Sequence, residues 1–192
     1  MFRQVCVIGA ILVLMLGIRV ASADSVSPKN QALLLLRILA YDHNLASRAD
    51  KKTITIVVLY RPGVTDSEDT ANELLAVMKD LAKTTSIANN AIQMTRLAYA
   101  EKTFDADIAR AKAAAIYIAS GLTDNLPTIT GTTRQRKLLS FTGIEDYVES
   151  GVSVGFAIHD AKPVISINLP SSRSEGADLD ATLLRIAKIV KK

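Results

Sequence analysis

Val152-Ser-Val-Gly-Phe-Ala-Ile158 and Pro163-Val-Ile-Ser-Ile-Asn-Leu169 are two apolar runs of strand length, with His159-Asp-Ala-Lys162 between them. A short polar connection suits an antiparallel hairpin, whereas parallel strands need a crossover of about a dozen residues or more. The pair therefore predicts a hairpin, and a helix ending in Leu183-Leu-Arg-Ile-Ala187 follows it.

Upstream the pattern changes to strands alternating with helices. Thr53-Ile-Thr-Ile-Val-Val-Leu-Tyr60 is β-branched and apolar on both faces towards its end, as expected of a central strand in a covered parallel sheet. Arg61-Pro-Gly63 stops it, and Asp66 or Ser67 is the predicted cap of a helix reaching about Lys83, with Leu74, Leu75, Met78 and Leu81 on one side. Ile92-Gln-Met-Thr-Arg-Leu-Ala-Tyr99 alternates as a second strand, before an alanine-rich helix over 105–113. Ala114-Ala-Ile-Tyr-Ile-Ala119 is a third strand, closed by turn chemistry from Ser120 to Asn125. The segment 126–136 is rich in threonine, with Pro127 and Gly131, and has low helix propensity; a strand at 137–142 nevertheless requires a crossover there. A first helix over 28–39 is apolar nearly all round and should be buried. The whole predicts one domain, a three-layer α/β sandwich with a mostly parallel sheet, the hairpin adding antiparallel strands at one edge and a helix last.

The C-terminal block resembles the signature of the YfiR-like family of secreted bacterial proteins. The residues that carry the likeness are Gly151 with Phe156, then Ile167-Asn168-Leu169, Gly176, and Leu183-Leu184 with Ala187, in that order. A weaker likeness extends to the first helix, Gln31-Ala-Leu-Leu-Leu-Leu-Arg-Ile-Leu-Ala40, and the strand after it. The resemblance implies an exported, non-enzymatic regulator that restrains a membrane-bound signalling enzyme, such as a diguanylate cyclase, by binding its extracytoplasmic domain. It also implies dimers. Some relatives contain disulfides linked to a redox response, but the only cysteine here is Cys6, within the leader, so that property does not carry over.

The first residues read as a secretory signal peptide. Arg3 precedes an apolar run from Val5 to Ile18, and Ala21-Ser-Ala23 provides small residues for cleavage between Ala23 and Asp24. The run is short of the ~20 residues that span a bilayer, so cleavage is favoured over retention as an anchor. The mature part, residues 24–192, is then one periplasmic domain without membrane insertion. Removal of Arg3 and Arg19 from 23 Lys+Arg leaves 21 against 19 Asp+Glu, a net charge of only +2. The basic clusters Arg134-Gln-Arg-Lys137 and Lys188 to Lys192 lack interleaved aromatics and read as solvated helix ends, so nucleic acid is not an expected partner.

Gly151-Val-Ser-Val-Gly155 matches the Gly-x-Ser-x-Gly nucleophile elbow, but an elbow needs a strand-to-helix turn with an acid and a histidine further along the chain. Ser153 is instead followed by a second strand, and His159, at the end of its own strand, is the only later histidine. Ser153 is therefore expected inside a packed strand, opposite the face made by Val152, Val154, Phe156 and Ile158. His43 and His159 are too few for a histidine-rich metal site, and Asp42-His43 and His159-Asp160 lack ligand spacing. Glu145 with Asp146, and Asp178 with Asp180, suit loops or helix starts. No phosphate-binding glycine motif follows the first strand, and no cofactor is expected.

Open α/β sheets bind ligands beyond the carboxyl ends of their strands. Arg61, Ser120 and Thr142 are placed there by topology and are the candidate residues for a small anion. Two rivals to the regulator thus stand: a small-molecule, anionic-solute binding protein using that edge, and a secreted hydrolase using Ser153. An exposed edge of the terminal hairpin would be the expected seam of a homodimer.

Overall fold

The protein is described by a computed structural model over residues 26–160 and 162–190. The expected leader and the expected cleavage site between Ala23 and Asp24 lie outside the described residues. Among the described residues, no helix is long and apolar enough to cross a membrane.

Helix α1 (Pro28–Ala40) leads through a short 3-10 turn into β1 (Thr53–Tyr60). After α2 (Thr65–Leu81), the two-residue strand β2 (Ser86–Ile87) turns back into β3 (Asn90–Ala98). Then come α3 (Phe104–Ala111), β4 (Ala113–Ile118), α4 (Leu126–Arg136), β5 (Leu139–Thr142) and α5 (Glu145–Glu149). The hairpin is β6 (Val154–His159) and β7 (Lys162–Asn168), followed by α6 (Leu169–Ser174), α7 (Ala181–Ile186) and β8 (Lys188–Val190).

The sheet order is β2-β3-β1-β4-β5-β6-β7-β8. Strands β3, β1, β4, β5 and β6 are parallel; β2 on β3 and β7 on β6 are antiparallel. This is the predicted α/β architecture with its hairpin. One detail differs: β8 runs parallel to β7, with Ile167 opposite Ile189, so the hairpin is not the edge of the sheet. Lys188 therefore starts a strand, where the charged terminus reads in sequence as a helix end.

Two apolar clusters sandwich the sheet. On one face Leu35, Leu36 and Leu39 of α1 and Leu74 and Met78 of α2 cover Ile54, Ile56, Val58, Phe141, Val154 and Phe156. On the other, Phe104, Ile108, Leu126, Ile129 and Tyr147 cover Val57, Leu59, Ile116 and Ile118. Each such side chain, fully buried, contributes roughly 1.5–3 kcal/mol. That burial overrides the poor propensity of α4, where Thr130 and Thr133 are buried but donate to Leu126 O (2.8 Å) and Thr130 O (3.0 Å). Val152 joins the second cluster rather than the face of Val154 and Phe156, because β6 begins only at Val154 and the chain bends at Ser153.

Helix α2 begins at Thr65 without a side-chain cap. Ser67, one of the two expected caps, is engaged elsewhere. Its Oγ accepts from Arg61 N (2.9 Å) and donates to Ser120 O (2.7 Å), joining the loops after β1 and β4.

Candidate functional site

The Gly-x-Ser-x-Gly stretch resolves into a packing device. Ser153 is wholly buried, and its hydroxyl donates to the carboxyl of Glu175, the residue that follows α6. Ser140 of β5 adds two bonds to the same carboxyl, from its backbone N (2.8 Å) and its Oγ (2.7 Å), while Ser140 Oγ accepts from Ser153 N (2.9 Å). Thr133 of α4 completes the group at 2.5 Å. Glu175 thus ties α4, β5 and the entry to β6 to the end of α6, with no cation in contact among the described residues. Burial pushes its pKa above the ordinary carboxylate value, against the lowering effect of these hydrogen bonds. Proton counting agrees: Thr133 has one proton for both Thr130 O and Glu175, so a protonated Glu175 donating to Thr133 satisfies both.

No histidine approaches Ser153. His159 Nε2 lies 3.0 Å from Glu145 Oε1, and Lys188 Nζ meets the same oxygen at 3.0 Å; the hydrogen bond from Lys188 foremost, with that of His159 behind it, holds Glu145 below its ordinary pKa. His43 lies between Asp178 (3.3 Å) and Asp180 (3.5 Å). Among the described residues, no three of His, Cys, Asp and Glu are grouped to hold a metal ion.

The parallel strands, taken in chain order, lie 2-1-3-4-5, so the order reverses between β1 and β4 and opens a crevice beyond their carboxyl ends. Arg61 spans that crevice: its Nη1 donates to Gly121 O (3.2 Å) and Asn125 Oδ1 (3.0 Å) in the loop after β4. Beside it is a cleft of about 390 Å³ lined by Arg61, Pro62, Tyr99, Glu101 and Asn125. The Tyr99 hydroxyl is buried beside Asn125 without a hydrogen bond of good geometry, and its pKa is raised by burial and by Glu101.

Ser120 lines a different cleft, of about 340 Å³, between α1 and α2, where Asp66 and Glu73 are the charged residues. Its Oγ is buried and has no hydrogen-bond partner. Thr142 Oγ1 accepts from Ile144 N (3.1 Å) and is fully buried. The structure therefore places Arg61, Ser120 and Thr142 on one edge of the sheet but does not bring them into one site. Tyr99 and Asn125, not singled out in the sequence, are the neighbours that Arg61 acquires; the strand end at Tyr99 and the turn at Asn125 were the available signals.

The C-terminal markers have structural work. Ile167 is buried opposite Val154, Asn168 Oδ1 accepts from Ser171 N (3.1 Å) to cap α6, and Asn168 Nδ2 donates to Val148 O (2.9 Å). Gly176 takes φ +77°, a conformation few side chains adopt, and its carbonyl receives Asn44 Nδ2 (3.0 Å) and Arg48 Nη2 (3.1 Å).

No curated protein sequence matches the chain. Solved structures share its fold, three of them as follows. An ABC domain in complex with L-Trp from Streptococcus pneumonia is 13% identical, with a TM-score of 0.58 over 85% of this chain and 62% of that one. A conserved domain protein from Vibrio cholerae O1 biovar El Tor is 14% identical, with a TM-score of 0.61 over 86% and 60%. The ligand-free, open form of CD0873, a substrate binding protein with adhesive properties from Clostridium difficile, is 14% identical, with a TM-score of 0.60 over 88% and 61%. At such identities the likeness is one of fold, and this chain spans about six-tenths of the length of each. At the level of sequence, the YfiR/HmsC-like profile matches residues 28–188, from the first residue of α1 to the first of β8 and so across the markers just described, and the chain therefore belongs to the YfiR/HmsC-like family.

Proposed function

We propose that this chain is a non-enzymatic periplasmic regulator that restrains a membrane-bound diguanylate cyclase by binding its extracytoplasmic domain. Family membership across residues 28–188 carries the reading. The fate of the one catalytic-looking motif supports it: Ser153 is sealed in the core on the carboxyl of Glu175, with no histidine in reach. Binding of the exported chain, residues 24–192, to the purified extracytoplasmic domain of such a cyclase tests it. Saturable complex formation is expected, and absence of complex at high micromolar concentrations of both proteins would contradict it.

A second reading, recognition of a small anionic solute, is favoured by one observation: Arg61 lines an open cleft at the reversal of strand order. The acidic cleft beside Ser120 has no such cation. A thermal-shift panel of carboxylates and phosphate should stabilise the wild type and not Arg61→Ala; equal behaviour of the two proteins would remove the anion site.

A further inference from the structure

Strand β3 is paired along its whole length on one side, with Ala91 to Ala98 opposite Thr53 to Tyr60 of β1. On its other side β2 reaches only Asn90 and Ala91, so among the described residues the backbone edge over 92–98 has no strand beside it. Of the devices that usually blunt an edge, the segment lacks proline and a bulge, and its one charged residue is Arg96. At the other end of the sheet, β8 is only three residues long and so offers little to pair with.

A groove of about 310 Å³ follows this edge on the α2 face, lined by Leu75, Met78, Ala82, Ile92 and Met94, with Lys79 at its rim. Arg96 stands at one end, its Nη1 on Asn72 Oδ1 of α2 (2.6 Å) and its guanidinium 5.7 Å from the centre of the Tyr60 ring. Among the described residues neither Lys79 nor Arg96 has a carboxylate in ion-pair contact, and no carboxylate lines the groove. The surface thus combines an open hydrogen-bonding ladder, an apolar trough beside it and two cations in need of counter-charge.

We propose that the β3 edge binds an extended segment of a partner protein as an added strand, with alternate apolar side chains in the groove and acidic residues against Lys79 and Arg96. Main-chain bonds supply affinity in such pairing, and alternate side chains supply specificity. A second copy fits poorly, because β3 pairing with itself would bring four cations to one seam with no carboxylate between them. The inference rests on the reading that the chain acts by binding a protein, and it names the surface and the chemistry of the segment.

Three blocked peptides test it against the exported chain: Glu-Thr-Val-Thr-Val-Thr-Glu, the same with lysine for both glutamates, and the acidic one with proline at the central threonine. In the first, valines and glutamates share one face of a strand. It should bind and slow hydrogen exchange of alternate amides over 92–98, while the lysine and proline peptides bind about tenfold or more weaker. Lys79→Glu and Arg96→Glu, both at exposed positions, should each weaken the acidic peptide and strengthen the lysine one. Absence of binding, binding indifferent to these reversals, or exchange unchanged over 92–98 would overturn the inference. So would a peptide-free dimer in which those amides are already protected, since the occupant would then be a second copy. If the cyclase domain binds wild type and both variants equally, this surface is wrong while the regulatory role stands.

Discussion

Glu175 has three hydroxyls and one backbone N–H around its two oxygens and, among the described residues, no cation in contact, so its proton matters to the fold. Its folded pKa lies above the ordinary value of 4.5. Below that value both folded and unfolded states are protonated and the contribution is full; as pH rises past it, the folded state keeps a proton that the unfolded state releases, and stability falls until the folded pKa is passed. Urea midpoints from pH 5 to 8 should therefore decline in wild type and decline less in Glu175→Gln; parallel curves would show that Glu175 is ionised throughout. Glu175→Ala leaves three buried donors, Ser140 N, Ser140 Oγ and Ser153 Oγ, without their acceptor and should cost about 3 kcal/mol or more by urea unfolding. Gly155→Ala is expected to cost about 1–3 kcal/mol in the same measurement, because a Cβ there overlaps Val148 Cγ2. The sequence shows Ser153 as a strand residue with no catalytic partners. It does not show Glu175, since the bond spans 22 positions. A hint was present: Ser140 and Ser153 lie in or beside apolar runs and Thr133 in a buried helix, and hydroxyls in such places need an acceptor.

Elements with a hydrophobic period were legible from sequence, and those held only by neighbours were not. The run 53–60 and the helix 126–136 form at the expected residues, the latter because the crossover between β4 and β5 requires it despite its threonines. Gly131 lies within α4 with open space around its Cα, so Gly131→Ala should raise stability by about 0.5–1 kcal/mol, read as a higher urea midpoint. Strands β2 and β8 have two and three residues, too few for any period, and α6 opens on Leu169-Pro170 before a run of serines. The seam between the end of α1 and residues 176–180 was equally invisible. There Asp42, its side chain fully buried, takes Arg48 Nη2 at 2.6 Å and Asp178 N at 2.9 Å, and Asp180 N donates to Tyr41 O at 3.0 Å. Removing one partner of such a pair strands the other charge, so Asp42→Ala should lower stability by about 3 kcal/mol.

At the scale of the molecule, one sheet serves two kinds of surface. The carboxyl edge, where strand order reverses, is bridged by Arg61 and flanked by two clefts, one lined by Arg61 with Glu101 and the other by Asp66 and Glu73. The outer edge of β3 is an open ladder beside an apolar groove with Lys79 and Arg96. Sequence located the first through strand order, although it joined Arg61, Ser120 and Thr142 into one site that the loops keep apart. It did not locate the second, because an edge is defined by what fails to pair. The proposed role is regulation through protein contact, with the buried Ser153 inert. Its decisive assay is conversion of GTP to cyclic-di-GMP by a full-length cyclase in membrane vesicles, with the exported chain added on the extracytoplasmic side. A saturable fall in turnover is expected, produced equally by wild type and a folded Ser153→Ala variant; turnover unchanged at saturating regulator would contradict the role.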